Sequence, residues 1–160
     1  MTSTRIKYLF TYGSLKSDAI CLVGAEERAV LRKEAEFVAR GNIAGLLYDV
    51  GPYPGALLEN RSAARIHGEI WSLPRERTQL MDMLDRYEGC APSSPAPHSY
   101  SRRKVRIRLE CGRRVVAWMY LWNGAVRPEA RILGGLWEGP GRTVQRSLSE
   151  PSQAHRKIAA

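Results

Sequence analysis

Apolar and polar positions change period several times along the chain, and each change marks an element. Ile6 to Tyr12 alternates loosely and is rich in β-branched and aromatic residues, which predicts a first strand ending at Gly13. From Leu22 to Arg40 the chain is rich in Ala, Glu, Arg and Leu and free of proline, predicting a helix closed by Gly41. Gly45 to Leu58 mixes apolar residues with Gly51-Pro52 and Pro54-Gly55, which reads as two short extended pieces joined by rigid turns. Arg65 to Trp71 is a further strand. Pro74 then opens a helix running to Tyr87, with proline near its first turn and Gly89 just past its end.

Ala91 to His98 carries three prolines and two serines and reads as a loop. Tyr100 to Leu109 alternates basic and apolar residues, and a turn at Cys111-Gly112 leads into Val115–Trp122. This is a β-hairpin with its basic side chains on the outer face. Beyond Asn123-Gly124 the periodicity stops. Gly134 to Gly141 reads as an extended arm, and Ser147 to Lys157 as a frayed terminus. Five or six strands with two helices predict one compact α+β domain over residues 1–145, with a polar tail at 146–160; a small barrel is one way to close such a sheet.

Composition changes this picture only where it is uneven. The chain of 160 residues is 44% hydrophobic and 26% charged, the balance of a globular protein with a core of its own. Its longest apolar runs, such as Val115 to Trp122, are too short to span a bilayer, so no membrane partner is expected. Three widely spaced cysteines, with no apolar leader in Met1 to Leu15, fit free thiols in a reducing cytoplasm. The formal net charge of +9 invites a nucleic-acid reading, but residues 1–100 hold 12 basic and 12 acidic side chains. The whole excess sits in the last 60 residues.

One carboxylate breaks its helix pattern. Leu80, Leu84 and Tyr87 follow the spacing of a buried helix face, and Glu88 falls on that same side, between Leu84 and Met81 on the helical wheel. Asp82 and Asp85 project away from it as surface charges. Burial and the negative end of the helix dipole both raise a carboxyl pKa toward the range of a general acid or base. The alternative is a Glu paired with arginine or exposed at a frayed helix end. A second feature is Phe10-Thr11-Tyr12-Gly13-Ser14-Leu15, where a strand ending in Gly-Ser can present consecutive amides to an anion. The bland version is a tight turn without a ligand, and no Gly-Lys-Ser/Thr follows to make a P-loop.

Other chemistry is weaker. Cys90 with His98 or His67 as base would be a nucleophile, but a lone Cys beside scattered histidines is usually structural. Neither cysteines nor histidines show metal-ligand spacing, so no metal is expected. Trp118, Tyr120 and Trp122 read as core packing rather than a base-stacking surface. The basic side chains of 102–108 and Arg113-Arg114 alternate instead of clustering with exposed aromatics, which favours a solvated face over a nucleic-acid site.

Taken in order, six segments resemble the gamma-glutamylcyclotransferase-like family, in the bacterial branch related to plant avirulence-induced proteins. They are Phe10 to Leu15; Gly45-Leu46-Leu47-Tyr48 with Gly51-Pro52-Tyr53-Pro54-Gly55; His67-Gly68-Glu69-Ile70-Trp71; Leu84-Asp85-Arg86-Tyr87-Glu88-Gly89; Tyr100-Ser101-Arg102; and Ala117-Trp118-Met119-Tyr120. Together they span the core motifs of residues 6–123, and Gly134-Gly135-Leu136-Trp137 is a looser echo. The resemblance implies a small mixed β-barrel of five to seven strands flanked by helices. It implies Glu88 as the catalytic acid/base and a substrate pocket formed by Tyr12, Gly13, Ser14 and Leu15, with Tyr53, Tyr100 and Tyr120 facing it. The reaction implied is cyclisation of a γ-glutamyl group to 5-oxoproline with release of an amine or amino acid. It needs no cofactor. A non-catalytic module of the same fold, acting on acidic partners through its basic C-terminal region, is the competing expectation. The insert Ala91 to His98 departs from the shorter family forms and bears on the leaving-group side of the pocket.

Overall fold

A computed structural model describes residues 5–140, so the expected tail at 146–160 lies outside the described residues. The strands are β1 (Tyr8–Thr11), β2 (Glu36–Asp49), β3 (Pro54–Leu58), β4 (Arg65–Ser72), β5 (Tyr100–Leu109) and β6 (Arg114–Trp122). Two helices, α1 (Ala25–Glu34) and α2 (Thr78–Tyr87), lie among them, and a short 3-10 turn covers Pro128–Ala130. Hydrogen-bonded neighbours run β3-β2-β4-β1-β6-β5, and β5 returns to β2 through Gly41↔Leu109 and Asn42↔Arg108. Five strands therefore close a barrel, and β3 adds a sixth along the far half of β2. The β1–β6 pairing is parallel and the others antiparallel, so the barrel is mixed, as the family resemblance implies.

The period of two sorts side chains into two cores. Phe10, Ile66, Ile70, Ile107 and Met119 fill the barrel. Residues one step along, Leu9, Trp71 and Tyr120, instead join Leu31, Leu80 and Leu84 beneath the two helices. Leu31 and Leu84 are fully buried; each such side chain stabilises the fold by about 1.5–3 kcal/mol. Gly41 marks where the barrel closes, since a Cβ there would lie 2.8 Å from Ile107 and 2.9 Å from the Arg108 carbonyl.

Three departures from the sequence pattern have physical causes. The helix expected over Leu22–Arg40 stops at Glu34, because the chain from Glu36 pairs with β4 along Phe37↔Trp71 and Ala39↔Ile70 across a bulge. Phe37 also meets the Trp71 ring edge-on at 5.9 Å. Barrel closure outweighs a modest helix propensity there. The second helix begins at Thr78 instead of Pro74; the preceding turn is held by Arg77 donating to the Pro74 carbonyl at 3.2 Å. The arm after β6 is a strap across the barrel end. Ile132 N–H donates to Leu47 O at 2.7 Å, His67 N–H to Gly135 O at 2.8 Å, and Ile132 and Trp137 are buried in the barrel core. Gly135 has φ +65°, and a Cβ there would sit 1.7 Å from the Arg65 carbonyl, so the strap needs glycine at that point.

Candidate active site

The site forms where β1 leaves the barrel. Tyr12 turns its ring into the core, and its hydroxyl donates to the Tyr120 carbonyl at 2.6 Å. The chain then passes against Pro54 so closely that a Cβ on Gly13 would lie 2.9 Å from the proline ring. Lys16 N–H donates to Gly13 O at 3.0 Å and closes the turn. Among the described residues, no acceptor takes the amides of Ser14 or Leu15. Two buried charged side chains brace this turn. Arg28 on α1 donates to Ser14 O at 2.6 Å and to Cys21 O at 2.9 Å. Glu69 on β4 accepts from Ser17 N–H at 2.8 Å and from the Ser17 hydroxyl at 2.7 Å.

The opposite wall comes from the end of α2. Leu80 and Leu84 dock in the helix-side core, and Glu88 N–H still donates to Leu84 O at 2.9 Å, so Glu88 keeps the helical direction of that face. Gly89, at φ +72°, ends the helix immediately afterwards. Glu88 thus lines one cleft with the Gly13–Leu15 turn, Tyr53, Tyr100 and Tyr120. Burial, reinforced by the negative charges of Asp85 and Glu27, pushes the Glu88 carboxyl up to about 8. The residue as a whole is partly exposed.

Tyrosines complete the enclosure. Burial raises the hydroxyl pKa values of Tyr12, Tyr87, Tyr100 and Tyr120, and the Glu88 charge adds to each, so these groups remain protonated donors. Tyr100 donates to Pro54 O at 2.8 Å, and Ser14 shares a 2.7 Å hydrogen bond with Tyr87. Tyr53 stands at the mouth, 37% exposed.

All eight positions singled out in the sequence line this one cleft: Glu88, Tyr12, Gly13, Ser14, Leu15, Tyr53, Tyr100 and Tyr120. Asp82 is exposed as expected, but Asp85 is not a surface charge. Its side chain is 13% exposed, accepts from the Tyr120 hydroxyl at 2.7 Å, and pairs with Arg102 at 3.3 Å. Partners on β5 and β6 reach over it, which a helical wheel does not register. Arg28, Glu69 and Tyr87 were also missed as parts of the site; only a buried polar pattern within α1 and β4 could have signalled the first two. Cys90 does not have the setting of a nucleophile: burial and the charges of Asp85 and Glu88 push its thiol up to about 11. His67 lines a different cleft, with Lys16 and Glu69. Of the aromatic triplet on β6, Tyr120 is buried at the cleft, while Trp118 and Trp122 are partly buried against the helix-side core.

Known proteins converge on the same class. Residues 9–139 match the family described as "Gamma-glutamyl cyclotransferase, AIG2-like", and the chain belongs to that family. A protein of Methanocaldococcus jannaschii named "Putative gamma-glutamylcyclotransferase" is 25% identical over 120 residues, covering 73% of this chain and 85% of the relative. The crystal structure of an AIG2-like protein from Mus musculus shares the fold with a TM-score of 0.61 at 23% identity, over 85% of this chain and 92% of that one. YkqA from Bacillus subtilis superposes with a TM-score of 0.58 at 16% identity over 94% of this chain, which spans only 43% of YkqA. No helix among the described residues is long and apolar enough to cross a membrane.

Proposed function

We propose that this protein is a γ-glutamyl cyclotransferase that releases 5-oxoproline, with Glu88 as general acid/base. The observation that carries this reading is the placement of the Glu88 carboxyl in one cleft with the Gly13–Leu15 turn, among tyrosine hydroxyls that stay protonated. The α-amine of a γ-glutamyl group attacks its own side-chain carbonyl, a carbon–nitrogen bond closes the five-membered lactam, and the bond to the departing amine breaks. Nucleophile and electrophile share one molecule, so the protein's task is to hold the reactive conformer and move protons.

Glu88 fits the proton's path. An α-ammonium group titrates at about 8, close to the value to which the Glu88 carboxyl is raised. Transfer between matched groups costs little in either direction. Glu88 takes the proton from the α-ammonium and returns one to the leaving amine, so acid and base balance over one turnover. The amides of Ser14 and Leu15, with Arg28 behind the Ser14 carbonyl, offer a positive cradle for the substrate α-carboxylate or for the developing oxyanion.

A panel of γ-glutamyl amino acids and γ-glutamyl amines, assayed for 5-oxoproline, tests the activity and the leaving group together. At least one member is expected to turn over. Silence across the panel, or full activity in Glu88→Gln, overturns the reading.

A further inference from the structure

We propose that Asp85 is a positioning residue of the cleft: it anchors the Tyr120 wall and sets the charge field in which Glu88 works. The inference rests on the cyclotransferase reading for its kinetic consequence, but the geometry stands by itself. Asp85 sits nearly one helical turn before Glu88 on α2. Its Oδ1 accepts from the Tyr120 hydroxyl at 2.7 Å and forms an ion pair with Arg102 Nε at 3.3 Å, while the Arg102 guanidinium lies 4.6 Å above the Trp118 ring. One carboxylate thus ties α2 to β5 and β6. The tie holds in place a tyrosine whose ring lines the cleft and whose carbonyl receives the Tyr12 hydroxyl.

This arrangement has an electrostatic consequence. Arg102 approaches Asp85 from the side of β5, whereas Asp85 and Glu88, three residues apart at the end of α2, are neighbours on one helix surface, and Glu27 on α1 adds a weaker negative charge. Tyr53 shares the cleft with Glu88, and Tyr12, Tyr87, Tyr100, Tyr120 and Cys90 around it are held neutral at physiological pH, each raised by burial. Asp85 is the carboxylate nearest to Glu88 along the helix. Its charge keeps the proton on Glu88 to higher pH.

The sign follows directly. A base must be deprotonated to act, so kcat/KM rises as pH passes through the Glu88 pKa. Asp85→Asn removes the negative charge while keeping an oxygen to accept from Tyr120. The acid limb of the pH profile should move down by on the order of one pH unit, with the melting temperature little changed. Glu27→Gln should move the same limb in the same direction by less. A separate readout needs no turnover: a 13C-NMR titration of δ-carboxyl-labelled protein, with Glu88 assigned by its loss in Glu88→Gln. The Glu88 resonance should titrate lower in Asp85→Asn than in the wild type. An unmoved resonance overturns this inference even if the enzyme is active. A moved resonance in a protein that cleaves no γ-glutamyl compound upholds it and sinks the cyclotransferase reading alone. A merely structural Asp85 would lower stability in the Asn variant and leave both limb and resonance in place.

Discussion

The cleft and the outer face of the β5–β6 hairpin carry opposite charge in opposite surroundings. In the cleft, Glu88 lies among tyrosines, and burial lets the charges of Asp85 and of Glu27 on α1, just outside its lining, act on the carboxyl. On the hairpin, Lys104, Arg106, Arg108 and Arg114 are exposed, and the first three alternate with the buried Val105, Ile107 and Leu109. Water screens those cations within about 10 Å at moderate salt. The formal +9 of the chain therefore says little about its chemistry: the groups whose ionisation is altered are few, and all but Arg77 lie at or beside the cleft.

The largest effect should come from removing the enclosed carboxylate. Glu88→Gln is expected to cut 5-oxoproline release by on the order of a hundredfold or more, with an unchanged circular dichroism spectrum. The same substitution has a stability signature. Between about 4.5 and 8 the native protein holds a proton on Glu88 that the unfolded chain has lost. Native stability therefore falls as pH rises through that window. Thermal melts at pH 5 and pH 9 should show Glu88→Gln gaining on the wild type toward pH 9; a gap that does not widen contradicts an enclosed carboxylate.

Next in size is the brace of the turn. Arg28 is buried and held by two carbonyls, so Arg28→Ala should cost about 2–3 kcal/mol in a denaturant melt. It should also raise KM more than it lowers kcat, since the turn is expected to bind the substrate and not to move the proton. Equal losses in both constants would place Arg28 in the chemistry itself. The smallest effects belong to the hairpin. Arg106→Glu and Arg108→Glu should each change stability by within about 0.5 kcal/mol. Any loss in kcat/KM should appear at low ionic strength and fade toward 0.5 M salt, as for long-range steering of an anionic substrate. A tenfold loss that persists at high salt would break the distinction between the two regions.

Much of this was legible in local pattern. The hairpin strands Tyr100–Leu109 and Arg114–Trp122 lie within a residue of where alternation places them, because each strand buries one face and the period of two cannot slip. Leu80, Leu84 and the last turn of α2 were equally readable, whereas the helical pattern left Glu88 open between an inward carboxyl and one exposed or paired at a frayed end. The stretch after Glu34 was not. Its residues suit a helix as well as a strand, and only the ladder to β4 decides between them. The same holds for Trp137, whose burial depends on where the strap crosses the barrel.

The sequence by itself determined the element types where burial is one-sided, the balance of charge between the two parts of the chain, and the order of segments that marks the family. Tertiary structure alone decided what Asp85, Arg28 and Glu69 do. Each is an ordinary charged residue in a local window. Each becomes part of the site because barrel closure brings Tyr120, the Ser14 carbonyl and the Ser17 amide within hydrogen-bond reach, across 35, 14 and 52 residues of chain. A hydrogen bond acts over about 3 Å, and no local pattern along the chain records a distance that folding alone creates.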